Sequence, residues 1–413
     1  MKNQEQEPRD AVSPHGQVPK EETKRIFLTG ATGFLGTVLL CDLLKRGHTV
    51  TALVRAQKGL SAGDRLKNRL LDYDPEFPWD QFSERNLFAV EGDTTQLFFG
   101  IGKRLYDEYA ASTDVVIHNA ACTALETDWK SLEAINIGGT REAIEFASHT
   151  HAKALVHVSS AYVAGERTGV VREDELLMTE GFRNGYERSK AIAENEVRDA
   201  AASGRIRFLI VRPSIIVGDS RSGYMCPNHH FFDLIFRLLT IRRMIRDKTD
   251  DGRFRIPGDP NATKNFIPVD YVAKLISLLL ETDEAWGKAF HLTDPAPIRL
   301  EMLNLYVRTA LDWPDLVWCP KEDIKELSLL ERRFFRSIKI YEKYFWQEAF
   351  FDQSQLKSVL GVRLPVFDQM SQETVDRMVK FIQAKYAGRD TARKQRSARK
   401  KDGKISTVQP LCA

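Results

Sequence analysis

Six short, continuous apolar runs mark the first half of the chain: residues 26–29, 50–54, 87–90, 115–118, 155–158 and 208–211. Runs of this length without polar alternation suit strands buried on both faces of a parallel sheet. Between them the apolar period becomes helical. Residues 34–45 place Leu35, Leu39, Leu43 and Leu44 on one face, and helical stretches follow at 129–149 and 186–202. Strand and helix in alternation predict an α/β fold, a doubly wound parallel sheet with right-handed crossovers. After Val211 the rhythm breaks. Segments 229–246 and 269–283 read as helices, 289–292 as a late strand, and 299–386 as further helical stretches, with an amphipathic one near 373–386. These predict a smaller, mostly helical substrate-covering region assembled from 214–265 and 293–386. The expected division is a disordered leader over 1–23 and a nucleotide-binding domain over 24–292, with 214–265 contributing to the substrate region. A C-terminal substrate-binding region over 293–387 and a basic disordered tail over 388–413 complete it.

Composition removes several alternatives. At 413 residues, with 43% hydrophobic and 28% charged, the chain has the balance of one or two globular domains. No stretch reaches the length of apolar sequence that a transmembrane helix needs, and the polar N-terminus lacks the apolar centre of a secretory signal. Cys41, Cys122, Cys226, Cys319 and Cys412 match neither a disulfide framework nor a metal-site spacing, which predicts a reducing, cytoplasmic setting and no metal. The net charge of +3 is concentrated at the end of the chain, where eight basic residues between Arg389 and Lys404 face only Asp390 and Asp402. Such a tail can contact nucleic acid, touch anionic lipid as a peripheral contact, or simply stay solvated. The rest of the chain has no basic surplus, so nucleic-acid binding is not expected as a primary function.

Chemistry enters at the first strand end. Thr29-Gly30-Ala31-Thr32-Gly33-Phe34-Leu35-Gly36 leaves a strand and opens a helix. Gly30 permits a tight turn, Gly33 lets backbone approach a pyrophosphate, and Gly36 allows close packing, with helix N–H groups as the anion receptor. The end of the second strand carries Arg55, followed by Arg65, where an NAD-binding chain would carry an acidic residue. Guanidinium suits a ribose 2′-phosphate, so NADPH is expected over NADH. Asp93 and Thr94 follow the third strand, where the acid can accept from an adenine amino group or merely form a turn. Asn119, Ala120 and Ala121 follow the fourth, small enough for a cofactor to lie on the sheet edge. Asn136 can bond backbone near the site, and Arg212-Pro213-Ser214 ends the sixth strand where the nicotinamide should rest.

Two further elements supply reactivity. Ser159-Ser160 ends the fifth strand, and Ser160 is the member expected to hold a substrate carbonyl oxygen. Tyr186 and Lys190 lie four residues apart and so share a helix face. An ammonium beside a phenol lowers the phenol's pKa and makes it a usable proton donor. The segment 229–246, apolar with basic residues, can line an acyl channel, receive the phosphopantetheine of an acidic carrier, or simply pack on the body.

Together these motifs resemble the extended short-chain dehydrogenase/reductase superfamily between Arg25 and His291. That resemblance implies a Rossmann-like domain and a Ser160, Tyr186, Lys190 catalytic set, with Lys190 also on the nicotinamide ribose. Within the superfamily, Phe27 to Gly36, Leu53 to Ala56, Glu91 to Thr94, Arg212 to Gly223 and Phe266 to Ala273 look like thioester reductases and fatty acyl-CoA reductases. The subgroup implies NADPH-dependent reduction of an acyl group carried on CoA or a carrier protein, giving aldehyde or alcohol. Neither a carrier domain before the reductase nor a membrane-anchoring region after it is recognised, so a stand-alone reductase is the expectation. The competing expectations are a dehydrogenase of ketones or hydroxysteroid-like alcohols, a nucleotide-sugar epimerase or dehydratase, and a non-catalytic dinucleotide sensor.

Overall fold

The computed structural model describes residues 23–179, 181–226, 230–245, 253–346 and 348–385. The leader up to residue 22, the basic tail from 388, and both ends of the 229–246 segment lie outside the described residues.

Seven parallel strands form the central sheet: β1 (Arg25–Thr29), β2 (Thr49–Val54), β3 (Leu87–Glu91), β4 (Val115–His118), β5 (Ala154–Val158), β6 (Arg207–Pro213) and β7 (Lys288–Leu292). Their spatial order is β7-β6-β5-β4-β1-β2-β3. The chain winds outward in one direction from β1 to β3 and then in the other from β4, so the switch point lies between β1 and β4. That crevice, at the carboxyl ends of the strands, is where open sheets of this kind bind ligands. The principal helices are α1 (Phe34–Lys45), α2 (Ala62–Tyr73), α3 (Lys103–Ser112), α4 (Gly139–His149), α5 (Gly185–Ala202), α6 (His230–Ile245) and α7 (Val269–Leu280).

The unbroken apolar runs are explained by burial on two sides. Ile26 and Leu28 of β1 enter one core with residues of α1, α2 and α7, whereas Phe27 enters the other with residues of α3, α4 and α5. A fully buried Leu or Phe contributes on the order of 1.5–3 kcal/mol by leaving water, so neither face tolerates polar alternation. The exceptions stand at the carboxyl ends. Thr29, His118 and His157 occupy one register row across β1, β4 and β5.

A separate hydrophobic cluster lies in the β6–β7 crossover and the C-terminal third, with Phe232, Phe254, Trp313, Phe334, Met378 and Ile382 among its members. Helix 372–385 buries Val375, Met378, Val379 and Ile382 at helical spacing, as its sequence pattern predicts. Short strand pairs stitch this region together, Ile215–Val217 with Phe266–Pro268 and Phe254–Pro257 with Leu316–Cys319. The C-terminal third does more than cover a substrate. Leu356 and Leu360 enter the main core, and Phe350–Phe351 pairs with Val170–Val171. No described helix is long and apolar enough to cross a membrane.

Candidate active site

The loop after β1 is closed by its own backbone. Gly30 has φ +71°, and its carbonyl accepts from Gly33 N–H at 3.0 Å. A Cβ on Gly30 would stand 2.6 Å from the Ala120 nitrogen, and one on Gly36 would stand 2.0 Å from the Gly30 oxygen. Gly36 is thus needed against the loop itself. Asn119 Nδ2 donates to Gly30 O at 3.1 Å, and Ala120 N–H donates to Thr29 Oγ1 at 3.2 Å. The glycine loop and the segment after β4 therefore form one wall. Helix α1 begins at Gly33 with no side-chain cap and no acidic residue in its first turn. Thr32, Gly33 and Phe34 stand at least partly open, as do Asn119, Ala120 and Ala121 on the facing segment, while Leu35 is buried. An uncapped helix start beside this partly open segment fits a pyrophosphate, so these residues suit a dinucleotide. Gly36→Ala is expected to weaken dinucleotide binding roughly tenfold or more by fluorescence titration, because the added carbon meets backbone.

At the end of β2, Arg55 is exposed and Arg65, on α2, donates to the Arg55 carbonyl at 2.6 Å. Burial and the neighbouring charges of Arg55 and Arg69 lower the Arg65 pKa. Among the described residues no carboxylate pairs with these three guanidinium groups. Arg69 is a member the sequence reading missed; its signal was the i,i+4 spacing from Arg65. Asp93 uses Oδ1 on the Thr95 N–H and hydroxyl, both at 2.9 Å, an Asx turn. Thr94 is buried against Gly139.

Asn136 sits in a π-helical turn, Glu133–Gly138, immediately before α4. Its side chain accepts from Cys122 N–H at 2.7 Å and donates to Cys122 O at 3.1 Å and Ser189 Oγ at 2.8 Å. It clamps the segment after β4 to α5, the backbone bonding expected of it. The Arg212 side chain is also engaged by protein groups. It is fully buried, bonding Glu194 at 2.6 and 3.0 Å and the carbonyls of Glu173 and Glu175 at 3.2 and 2.7 Å. An arginine at this depth needs a counter-charge and acceptors, and this set supplies both. Pro213 pairs with Leu292 in the sheet, and Ser214 Oγ is buried without a hydrogen-bond partner.

The two serines after β5 separate cleanly. Ser159 donates to Glu194 at 2.7 Å. Ser160 accepts from Tyr162 N–H at 3.2 Å and caps the short helix Ala161–Ala164. Burial pushes the Tyr186 phenol's pKa up to about 12, and the nearby Ser160 hydroxyl draws it back down. Lys190 is buried and donates to Val158 O at 2.7 Å. Burial lowers its pKa to about 8, with Glu194 pulling the other way. The expected lowering of the phenol by Lys190 does not stand out here. Shared helix face brings the two side chains to one region, but a buried ammonium seeks an acceptor, and β5 offers its last carbonyl. Behind Lys190 the rings of His118 and His157 stack at 5.8 Å, both kept neutral by burial and by the lysine's charge. Glu194, a full turn beyond Lys190, went unforeseen although its i,i+4 position marked it.

Sheet topology and glycine cradle define a Rossmann-like fold suited to a dinucleotide, and family membership places it in the extended short-chain dehydrogenase/reductase type, thioester reductase-like subgroup. The chain belongs to the male sterility protein family of NAD-binding domains, whose family model matches residues 28–276. It is 32% identical over 292 residues to the non-canonical nonribosomal peptide synthetase FrzA of a Cladobotryum species, covering 68% of this chain and 27% of that protein. It is 30% identical over 298 residues to the L-2-aminoadipate reductase large subunit of Penicillium chrysogenum, covering 65% and 20%. The match thus spans about a quarter of the length of these relatives. Among solved structures, the terminal reductase domain of the myxalamid biosynthetic pathway superposes with a TM-score of 0.74 at 25% identity, covering 88% of this chain and 91% of that one. A UDP-glucuronic acid 4-epimerase from Bacillus cereus, TM-score 0.62 at 18% identity over 88% of this chain and 99% of that one, shares the fold.

Proposed function

We propose that this chain is an NADPH-dependent reductase acting on the carbonyl of an acyl thioester, held on CoA or a carrier protein, with Tyr186 as proton donor. The observation that carries the reading is the nearness of the Ser160 hydroxyl to the Tyr186 phenol, while the adjacent Ser159 is tied to Glu194. Two hydroxyls meeting at the mouth of the crevice can both address one carbonyl oxygen. The glycine loop and the segment after β4 would hold a reduced dinucleotide, which when bound would supply a hydride for the carbonyl carbon. As charge grows on the oxygen, Ser160 donates a hydrogen bond and Tyr186 transfers its proton there. The resulting hemithioacetal breaks its C–S bond, its hydroxyl proton passing to sulfur, and leaves aldehyde and free thiol. A second reduction would give the alcohol. Lys190, charged below about pH 8, holds the floor of the site at Val158. The kinship with synthetase and aminoadipate reductases supports a thioester over a nucleotide sugar. Free Cys41, Cys122, Cys226 and Cys319 support a cytoplasmic setting.

The unpaired guanidinium group of Arg55, with Arg65 and Arg69 beside it, supports NADPH. Arg55→Ala combined with Arg65→Ala should raise KM for NADPH by roughly tenfold or more and leave KM for NADH nearly unchanged, since a charge-assisted contact is lost only with the phosphorylated ribose. The function itself is tested by following NADPH oxidation against acyl-CoA thioesters, carrier-bound thioesters, ketones and nucleotide sugars, with product analysis. Aldehyde or alcohol from a thioester supports the reading. Turnover confined to ketones or nucleotide sugars sinks it.

A further inference from the structure

The C-terminal third reaches back to the turn after Ser160 and to the start of α5, and it does so with buried polar groups. Tyr162, two residues beyond Ser160, gives its hydroxyl to Glu348. The Glu348 side chain is 1% exposed and lies 3.5 Å from the ammonium of Lys264, itself 3% exposed. Its second oxygen, Oε2, is buried with no hydrogen-bond partner. Alongside, Tyr344 donates to Glu187, the residue next to Tyr186, at 2.6 Å and accepts from Asn184, the cap of α5, at 2.8 Å. Arg183 adds its backbone N–H to Glu187 at 2.9 Å, its guanidinium to the same carboxylate at 3.4 Å, and lies over the Tyr344 ring at 5.5 Å. The rings of Tyr162 and Tyr344 meet edge to face at 5.6 Å.

The two elements that carry Ser160 and Tyr186 are thus gripped by Glu348 and Tyr344 respectively. Buried ionic groups are poor sources of net stability compared with apolar packing, and their gain is geometric. We propose that Tyr344 and Glu348 are positioning residues for the reduction: seating of Tyr344 on Glu187 and of Glu348 on Tyr162 holds the Tyr186 and Ser160 hydroxyls toward one oxygen. The C-terminal region must therefore be docked before the site is complete. This rests on the roles given above to Ser160 and Tyr186.

Glu187 gives the clamp a signature in pH. Arg183, Tyr344 and Asn184 surround it, Tyr186 adjoins it in sequence, and Lys264 lies close enough to feel its charge. Burial pushes the Glu187 carboxyl up, and Arg183 and the Tyr344 hydroxyl hold it back. Losing that hydroxyl moves the carboxyl's titration to higher pH, so the acid limb of kcat follows it upward.

The test uses the full chain with Tyr344→Phe, Glu348→Leu and Glu348→Gln. Tyr344→Phe and Glu348→Leu should each lower kcat about tenfold or more while KM for NADPH stays within about twofold. The acid limb should rise in Tyr344→Phe, and Glu348→Gln, which keeps an acceptor for Tyr162, should recover part of the loss. Amide hydrogen exchange on the same proteins reads residues 160–165 and 184–190 without turnover and should quicken in Tyr344→Phe. Unchanged kcat and acid limb, or unchanged exchange in both segments, overturns the proposal. Quickened exchange in Tyr344→Phe, together with a wild-type protein that reduces no carbonyl, supports the clamp and counts against the reductase reading.

Discussion

Tyr186→Phe should remove most turnover and leave the dinucleotide bound. The substitution deletes one oxygen from a half-buried ring whose neighbours, Ser160 among them, keep their places. General acid catalysis by a positioned side chain is worth on the order of 10²–10⁴ in rate, so kcat should fall by a factor in that range. The dissociation constant for NADPH should change little, since the glycine loop and the arginines at the end of β2 lie elsewhere. Steady-state kinetics and fluorescence titration check the two halves separately. Full activity in Tyr186→Phe would mean that the proton comes from another group. Ser160→Ala should cost less, because it removes a hydrogen bond to the developing charge and not the proton itself.

The largest effect on stability is expected at Glu194. This carboxylate is fully buried in α5 and bonds Arg212, Arg198 and Ser159. Burial pushes its pKa up, but Arg212, also fully buried, and then Arg198 and Ser159 outweigh it and bring it down to about 2. Glu194→Gln keeps the shape and leaves the Arg212 charge without its counter-ion, a change that costs roughly 3–5 kcal/mol. Urea unfolding should register it as a lower midpoint. Arg212→Met in the same background should be less damaging than Glu194→Gln alone, because a buried charge with no partner is worse than none. An unfolded glutamate titrates near about 4.3, above its folded value. The contribution of Glu194 is therefore complete above that pH and is lost as pH falls toward about 2. The acid side of the stability curve should be steeper in wild type than in Glu194→Gln; parallel curves would show that the pair does not drive acid unfolding.

Much of the fold was legible because parallel strands buried on both faces leave an unmistakable trace. The six runs ending at Val211 all became strands, and Ala289 to Leu292 fell within the seventh. The helices α2 and α3 were not foreseen in detail; both are polar with few buried residues, Ala62, Leu66 and Leu70 in one and Tyr106 and Ala110 in the other. The glycine loop was readable for a related reason. A chain with glycines at 30, 33 and 36 between a strand and a helix meets a backbone requirement that other residues cannot, and the collisions a Cβ would make show which requirement each serves. Arg212 misled because sequence gives a residue's place along a strand but not which groups surround it.

By itself, then, the sequence determined the layered α/β sheet, the cradle at its switch point, and the arrival of Ser160 and Tyr186 at one end of the crevice. These follow from local rules: apolar period, turn chemistry, and the fixed direction of side chains at strand ends and along one helix. Only the tertiary structure decided which of two adjacent serines is tied to Glu194, where the Lys190 ammonium goes, and why Arg212 is held inside. It also brought Tyr344 and Glu348, more than 150 residues away in the chain, onto Glu187 and Tyr162. Those outcomes depend on which donors and acceptors meet once water is excluded. Pairing across such distances leaves no period in a sequence.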